Sequence, residues 1–319
     1  MNGPETKPAR PQRGDELELT IDSLAFGGAG VARLEGYVVF VSGAVPGDRV
    51  RAVIGKRKRA YAEARAIEIL EPSPDRVPPL ADHPGVPWQV LPYERQLQVK
   101  YEQVDDALRR IGKLDGFELE DIVPAVAPWR YRNKLEYSFG TGPDGVLVCG
   151  FHAPGRWDEI VPMTDCRLAS EPANEARERI VTWCRREGLP AYDRKSGEGF
   201  LRNLVVREGR RTGAIQARLV TAPGRLDRDS LVAATAGLDG VLWTRQDRLG
   251  ETTQGGETEL LAGTERFDEE LNGLRFSISS EAFFQTNTEM AEQLYELAID
   301  YAAPRGFERV YDLYCGIGT

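Results

Sequence analysis

The sequence predicts a multidomain α+β protein. An OB-like antiparallel β-barrel comes first, a central α+β domain follows, and the incomplete start of a Rossmann-like domain forms the end. Three observations carry this prediction: short alternating apolar runs over residues 16–71, mixed strand and helix periods after residue 122, and an apolar run leading into glycines in the last ten residues. With 319 residues, the chain is long enough for two or three domains.

The barrel is predicted over residues 14–71. Turn residues such as Pro46-Gly47-Asp48 separate its short apolar runs. The predicted strands include residues 17–21, 37–41, 49–54 and 62–69. Four or five strands in about 60 residues are typical of a small OB-type barrel. Residues 1–13 are rich in proline and charge without an apolar period, which predicts a disordered tail.

The rest of the chain mixes helices and strands. The proline-rich residues 72–92 predict a linker or an irregular loop. Apolar residues at helical spacing predict an amphipathic helix that ends at Gly112. Helices are predicted over residues 93–111, 175–187 and 286–303, and strands over 135–139, 146–151, 204–207, 214–220, 241–244 and 309–314.

Composition excludes some classes of protein. The longest apolar runs fall far short of the roughly 20 residues that cross a bilayer, and the N-terminus has no signal-peptide apolar region. We therefore expect a cytoplasmic protein without a membrane partner. The cysteines contain no CxxC pair, which argues against a disulfide framework or a zinc ribbon. They stand at positions 149, 166, 184 and 315.

The net charge of −9 disfavours non-specific affinity for nucleic acid. Residues 1–71 nevertheless hold 11 Lys and Arg against 10 Asp and Glu, so any RNA contact should be local. Within them, Lys56, Arg57, Lys58 and Arg59 precede Tyr61 between two predicted strands. Such a loop can lay cations along a phosphate backbone while the tyrosine stacks on a base. A solvated charge run is an equally good interpretation of this segment alone.

The last ten residues place an apolar run before Gly316 and Gly318. Glycines let the backbone pass close to a nucleotide-like ligand at the carboxyl end of a parallel strand. The pattern lacks the full GxGxxG of a dinucleotide site. The order of helix, strand and glycine loop fits a class I methyltransferase better than an NAD site, although spacing does not settle the choice.

Five separated motifs resemble the bacterial uracil-C5 RNA methyltransferase family, in the family's order. They are PGDRV at 46–50, LPYERQL at 91–97, YRNKLEYSFG at 131–140, FFQTN at 283–287 and DLYCGIGT at 312–319. Within that family the N-terminal barrel resembles a TRAM domain, which points to the ribosomal-RNA branch. The resemblance implies a TRAM-like barrel at 14–71, a central domain at 72–88 and 122–274, and an incomplete Rossmann-like class I methyltransferase domain at 89–121 and 275–319.

The resemblance also implies site residues. Gln285 and Tyr314 match family positions that contact S-adenosylmethionine, and the loop backbone with Gly316, Gly318 and Thr319 completes that predicted cofactor site. Phe283 matches an aromatic residue near the flipped target base. A capping or surface amide for Gln285 and a core role for Phe283 are the alternatives. Lys134 is predicted to contact RNA phosphate, with a solvated strand end as its alternative.

The chemistry of the family requires a cysteine and a carboxylate. Uracil C5 is too weak a nucleophile to attack a methyl sulfonium, so a thiolate first adds at C6, and a base then removes the C5 proton. In the family both groups follow the glycine loop. We therefore assign no catalytic residue here and expect this chain to be inactive alone. Cys315 is predicted to be a packing residue of the cofactor loop.

Many ribosomal-RNA members also bind a four-iron, four-sulfur cluster. The alignment places its ligand positions at Val77, His83, Val86 and Cys166. Valine offers no ligand atom, so no iron–sulfur cluster is expected, and His83 is predicted to be a surface histidine.

The predicted function of the full-length parent is S-adenosylmethionine-dependent methylation of uridine C5 in RNA, with ribosomal RNA as the expected substrate. The protein is expected to be a monomer that binds RNA. The first alternative is a non-enzymatic RNA-binding module. A small-molecule methyltransferase is the second, and it leaves the basic barrel loop unexplained.

Overall fold

The computed structural model of the protein describes residues 10–248, 250, 252–316 and 318. The chain divides into two compact units, residues 1–124 and 125–319. The finer domain boundaries expected above stay predictions.

The first unit begins with a six-stranded sheet. Its order is β1-β5-β6-β4-β3-β2, and all neighbours are antiparallel except the parallel pair β4 and β6. The strands are β1 (Glu16–Thr20), β2 (Ser23–Leu24), β3 (Gly30–Leu34), β4 (Tyr37–Ser42), β5 (Arg49–Arg57) and β6 (Tyr61–Glu71). The four predicted strands are present, and the short β2 and β3 were missed because their glycine-rich neighbourhood hides the alternation.

Alternating burial explains why this sheet encloses one core. In β5, Val50, Ala52 and Ile54 are buried, whereas the residues between them are partly exposed. Val39 and Val41 of β4 pack in the same apolar cluster. Side chains two residues apart lie on one face of a strand, so each strand contributes its inner residues to this cluster.

Asp48 fixes the chain that leaves the barrel. Its carboxylate accepts hydrogen bonds from the backbone N–H groups of Val45 and Ser73, both at 2.8 Å, and forms an ion pair with Arg76 at 3.0 Å. The PGDRV turn therefore anchors the start of the proline-rich linker. His83 in that linker is buried, and its Nδ1 accepts from the Gly85 N–H at 3.0 Å. The prediction of a surface histidine is wrong because the linker folds around this ring.

The first unit ends in the predicted amphipathic helix. α1 (Tyr93–Asp106) continues as a π-helical turn (Ala107–Ile111), and Gly112 caps that turn. Val99 of α1 packs with Leu24 and Val45 in a second small cluster. The helix is thus attached to the barrel by apolar contacts.

The second unit is built on a seven-stranded sheet of order β13-β12-β11-β10-β7-β8-β9. Its strands are β7 (Lys134–Thr141), β8 (Leu147–Ala153), β9 (Arg156–Pro162), β10 (Leu201–Glu208), β11 (Ile215–Thr221), β12 (Gly240–Arg245) and β13 (Glu257–Gly263). A separate hairpin consists of β14 (Arg266–Leu271) and β15 (Leu274–Ser279), and the helices are α2 (Glu171–Arg186), α3 (Arg228–Ala234) and α4 (Thr288–Ala302).

One face of the large sheet packs on helices. Arg177 of α2 lies over the Tyr137 ring of β7, with its guanidinium carbon 5.5 Å from the ring centroid. Trp183, also of α2, is buried and donates to the Ser230 hydroxyl of α3 at 2.9 Å. This face is the apolar side of the core.

The other face carries buried polar side chains. Arg207 of β10 pairs in register with Lys134 of β7 and Gln216 of β11, and Arg218 lies two residues further along β11. Arg207, Gln216 and Arg218 are each no more than 2% exposed. Residues with this spacing point to one side of the sheet, so charge lies beneath the segment that covers it.

Residues 303–318 contradict one prediction. The strand expected at 309–314 is absent, and within the described residues this segment pairs with no strand. A strand forms only when a neighbour supplies its hydrogen bonds, which an apolar run alone does not provide. Cys315 is exposed. The prediction that it is a packing residue of the cofactor loop is therefore wrong, because its side chain meets solvent.

Candidate functional site

The cationic block lies on the hairpin between β5 and β6. Lys56 and Arg57 are the last residues of β5, and the Lys58 N–H donates to the Tyr61 carbonyl at 2.8 Å across the turn. All four cations are exposed. Lys56 forms an ion pair with Glu63 at 3.2 Å, which leaves the next three cations as the better phosphate contacts.

Aromatic residues brace this hairpin. The Tyr37 hydroxyl donates to the Lys58 carbonyl at 2.8 Å. Tyr61 is half-buried, and its ring packs edge-on against Phe40 with centroids 5.4 Å apart. These contacts fix the backbone of the hairpin that bears the cations. Part of the Tyr61 ring remains accessible to solvent.

In the second unit, the FFQTN segment connects the β14–β15 hairpin to α4. The Asn133 amide donates to the Gln285 carbonyl at 2.7 Å, and the Asn133 N–H donates to the Thr286 carbonyl at 2.9 Å. The side chain of Asn287 caps α4 by accepting from the Met290 N–H. Gln285 therefore does not cap the helix, and its side chain is exposed.

The two phenylalanines of this segment point in different directions. Phe284 is 4% exposed and packs in a cluster with Phe267 and Ile278, whereas Phe283 is 71% exposed. The core role that was the alternative for Phe283 thus belongs to Phe284. An exposed ring of this kind is available to a ligand.

A cleft of about 300 Å³ brings Phe283 and Lys134 together. Three aromatic rings, two cations, a carboxylate and a hydroxyl surround it. The lining residues are Arg132, Lys134, Leu135, Glu136, Phe151, Phe283, Phe284 and Thr286. Two residues predicted separately to contact RNA, 149 positions apart by their numbers, therefore share one concave surface.

Charges in the cleft are paired on one side. Lys134 Nζ lies 2.6 Å from Glu136 Oε1, and the Thr253 hydroxyl donates to Glu136 at 2.7 Å. Burial raises the pKa of the Glu136 carboxyl. Hydrogen bonds from Lys134 and Thr253, together with the positive charges of Lys134 and Arg218, lower it by more, so the net pKa is below its usual value and the carboxyl is ionised. Among the described residues, the buried Nε of Arg132 has no hydrogen-bond partner.

Arg132, Glu136 and Phe151 were not predicted as site residues. The first two stand in the YRNKLEYSFG motif, where their neighbours already pointed to the site. Phe151 lies on the next strand, so only the pairing of β7 with β8 brings it to the cleft. No local sequence signal marks it.

The predicted cofactor residues have chemistry that fits S-adenosylmethionine. Gln285 offers an exposed amide, and the Tyr314 ring is 94% exposed. Gly316 and Gly318 have φ values of 56° and 86°, and the Gly318 N–H donates to the Cys315 carbonyl at 2.8 Å. A side chain would be strained in this left-handed turn. Thr319 lies outside the described residues.

Three of the cysteines are unsuited to nucleophilic attack. Cys149, Cys166 and Cys184 are buried. Burial raises the pKa of the Cys149 thiol to about 12 and also raises that of Cys184. A thiolate is the reactive form, so the thiols of Cys149 and Cys184 are inert at neutral pH.

Over residues 10–248, 250, 252–316 and 318, no group of three or more His, Cys, Asp or Glu side chains is arranged to hold a metal ion. In the same residues, no helix has the length and apolar character needed to cross a bilayer.

Comparison with known proteins identifies relatives over nearly the whole chain. The TRAM domain family matches residues 10–67. An uncharacterized RNA methyltransferase of Halalkalibacterium halodurans is 33% identical over 316 residues, covering 96% of this chain and 69% of the relative. A second, from Thermosynechococcus vestitus, is 38% identical over 321 residues and covers 97% of this chain and 70% of the relative.

A solved structure is similar in fold. The tRNA (uracil-54, C5)-methyltransferase of Pyrococcus abyssi, in complex with S-adenosyl-L-homocysteine, superposes with a TM-score of 0.75 and 27% sequence identity. The match covers 94% of this chain and 68% of that protein. The α+β architecture is therefore shared with an enzyme that acts on uracil C5.

Proposed function

Because the chain belongs to the TRAM-containing uracil-C5 RNA methyltransferase family, we propose that it serves the S-adenosylmethionine-dependent methylation of uridine C5 in ribosomal RNA, as a cytoplasmic monomer. The observation that carries the proposal is the cleft that joins Lys134 to the exposed ring of Phe283, next to Gln285. Its shape and lining suit an unstacked nucleotide.

Each part of this cleft has a role in the proposal. The Phe283 ring stacks on a base near the target, and Arg132 holds a phosphate with a smaller contribution from Lys134, whose charge Glu136 partly neutralises. Gln285, Tyr314 and the turn at Gly316 and Gly318 bind the cofactor. S-adenosylmethionine, when bound, supplies the electrophilic methyl group.

The barrel supplies affinity that does not depend on sequence. Its exposed cations neutralise phosphates, while Tyr61 adds a partial stacking surface. A TRAM barrel of this type favours ribosomal RNA as the substrate, whereas the Pyrococcus abyssi enzyme is named for a transfer RNA. A methylation assay that includes both RNA classes distinguishes these substrates.

A second candidate, an RNA-binding role without catalysis, is favoured for these 319 residues by their cysteines. The C6 adduct needs a positioned thiolate, and three of the thiols are buried. Cys315 is exposed, but it stands inside the proposed cofactor turn. We propose that this chain by itself binds RNA and does not methylate it.

Transfer of a tritiated methyl group tests both candidates. The 319-residue chain and a relative of full family length are incubated with unmodified ribosomal or transfer RNA. We expect turnover only with the longer protein, and with ribosomal RNA. Turnover by the 319-residue chain that disappears in Cys315→Ala would make Cys315 the nucleophile and end the second candidate. Methylation of transfer RNA alone would reject the ribosomal substrate.

RNA binding by the cleft is measured separately. Phe283→Ala should weaken the affinity of the 319-residue chain for a single-stranded, uridine-containing RNA by about tenfold, since one stacked base contributes roughly 1–3 kcal/mol. The control is Trp157→Ala, which removes an exposed ring from β9. Equal effects of the two substitutions argue against the cleft.

A further inference from the structure

Arg207 makes an unusual set of contacts for a buried cation. Its Nη1 donates to the carbonyls of Ser279 and Ser280 at 2.7 and 3.1 Å, and its Nη2 donates to the Ala282 carbonyl at 2.9 Å. The guanidinium carbon also lies 5.4 Å from the centroid of the Phe267 ring. One side chain of the sheet therefore fixes three carbonyls of the segment that precedes Phe283.

The unfavourable free energy of burying the Arg207 charge indicates that its contacts have a structural role. Arg207 is 2% exposed, and in the part of the chain that the structure describes its side chain pairs with no carboxylate. Burying a charge without a paired anion is unfavourable. Burial lowers its pKa to about 10, with a further contribution from the nearby Arg218. It remains a cation at neutral pH, and backbone carbonyls solvate its charge.

Asn133 holds the other end of the same segment. Its amide donates to the Gln285 carbonyl and to the Thr288 hydroxyl at 2.7 and 2.9 Å. Phe283 therefore lies between the Ala282 carbonyl, which Arg207 holds, and the Gln285 carbonyl, which Asn133 holds. The side chains of Phe283 and Gln285 are exposed. An exposed aromatic ring contributes more to binding when its backbone is already ordered.

We propose that Arg207 is a positioning residue of the RNA and cofactor site, which holds the backbone of residues 279–282 in the shape that presents Phe283 and Gln285. The readout on RNA rests on the function proposed above. The contact with the segment itself does not.

Lysine is the informative replacement at this position. A lysine keeps the charge but has a single nitrogen, which does not reproduce the planar fork that reaches carbonyls on both sides. Arg177→Lys is the matched control. Arg177 is 1% exposed and also donates to two backbone carbonyls, those of Met163 and Thr164, but it projects from α2 on the opposite face of the sheet.

Amide hydrogen exchange in the 319-residue chain tests the contact directly. The Ala282 N–H donates to the Ser279 carbonyl at 3.1 Å, so its exchange reports whether the segment is held. We expect Arg207→Lys to speed exchange at Ala282 by about tenfold relative to strand amides, and Arg177→Lys to leave that ratio unchanged. Equal ratios in both variants would overturn the proposal.

Two further measurements test the proposal even if Arg207→Lys does not fold. Arg207→Gln removes the charge and retains one donor group, and it should give the same local acceleration. In the unaltered chain, Ala282 should exchange at least about tenfold more slowly than an unstructured amide. Absence of that protection overturns the proposal without any substitution.

The coupling between Arg207 and Phe283 shows whether the positioning reaches RNA. The loss of RNA affinity caused by Phe283→Ala should fall from about tenfold to less than about threefold in the Arg207→Lys background, and should stay at about tenfold in Arg177→Lys. An undiminished loss in Arg207→Lys rejects positioning of Phe283. If Phe283→Ala has no effect in the unaltered chain, the proposed function of the cleft fails, while the exchange at Ala282 still decides the role of Arg207.

Discussion

The amide of Asn133 lies 2.7 Å from the carbonyl oxygen of Gln285, across 152 positions of sequence. This hydrogen bond joins the YRNKLEYSFG motif to the FFQTN motif. Because Asn133 precedes β7 directly, it connects the rigid sheet to the segment that bears the predicted cofactor and RNA residues. Two motifs that are separate in sequence thus form one site.

Asn133→Asp should destabilise the second unit by about 2 kcal/mol or more. A carboxylate does not donate to the Gln285 carbonyl, and the Thr288 hydroxyl beside it already donates to Glu269. Urea unfolding at neutral pH measures the change. Asn287→Asp is the control, since the Asn287 side chain only accepts a hydrogen bond, from the Met290 N–H at the start of α4, and a carboxylate accepts it equally well, so this change should cost less than about 0.5 kcal/mol. Equal costs would contradict the role of Asn133.

Replacing the cationic hairpin with serine should weaken RNA binding across sequences. With Arg57, Lys58 and Arg59 changed, the slope of log affinity against log salt should flatten by about 2, since each phosphate contact to a single strand contributes about 0.7. Adding Lys56→Ser should change little more because Glu63 already pairs with it.

The control for the hairpin removes the same charge elsewhere in the first unit. Arg51, Arg109 and Arg110 are paired with Glu68, Asp105 and Asp106. Serine at these three positions should change the slope of log RNA affinity against log salt much less than the hairpin substitutions do. A salt slope that is unchanged by the hairpin substitutions rejects the hairpin as the contact.

Asp48 should make the stability of the first unit depend on acid. Burial raises the pKa of its carboxyl, but hydrogen bonds from Arg76, Val45 and Ser73 with the charge of Arg76 lower it below its usual value. A carboxyl whose pKa is lower in the folded state stabilises that state above the unfolded pKa near 4, and this contribution is lost as the pH falls through the folded pKa.

Urea midpoints between pH 7 and pH 3 test this dependence. Asp48→Asn should cost about 2 kcal/mol at pH 7 and progressively less in acid, because the protonated native carboxyl resembles the amide. Asp22→Asn, which breaks an exposed ion pair with Arg33, should cost less than about 1 kcal/mol. A pH-independent cost at Asp48 would show that its charge is irrelevant.

The protein purified without oxygen should be colourless and free of stoichiometric iron. Val77 and Val86 have no ligand atoms, and the Nδ1 of His83 is engaged by the Gly85 N–H. Iron and acid-labile sulfide in fixed ratio, both lost in Cys166→Ser, would show that the aligned ligand positions are wrong.

Much of the architecture follows from local patterns. Alternating burial in β5 and the helical period of α1 were predictable because each depends on neighbours two to four residues away. The hairpin of β14 and β15 was missed, although Asn272 and Gly273, with φ values of 47° and 75°, form the two-residue turn that such hairpins prefer.

The sequence by itself determined the family, the cationic hairpin and the identity of Lys134, Phe283 and Gln285 as candidate site residues. Those signals are short motifs whose residue types alone indicate their chemistry. Only the tertiary structure decided that Lys134 and Phe283 share a cleft and that Phe284, not Phe283, enters the core. It alone also decided that Arg207 holds the backbone of residues 279–282, just before Phe283. These facts depend on strand register and on contacts over more than 70 positions of sequence, which no local pattern encodes.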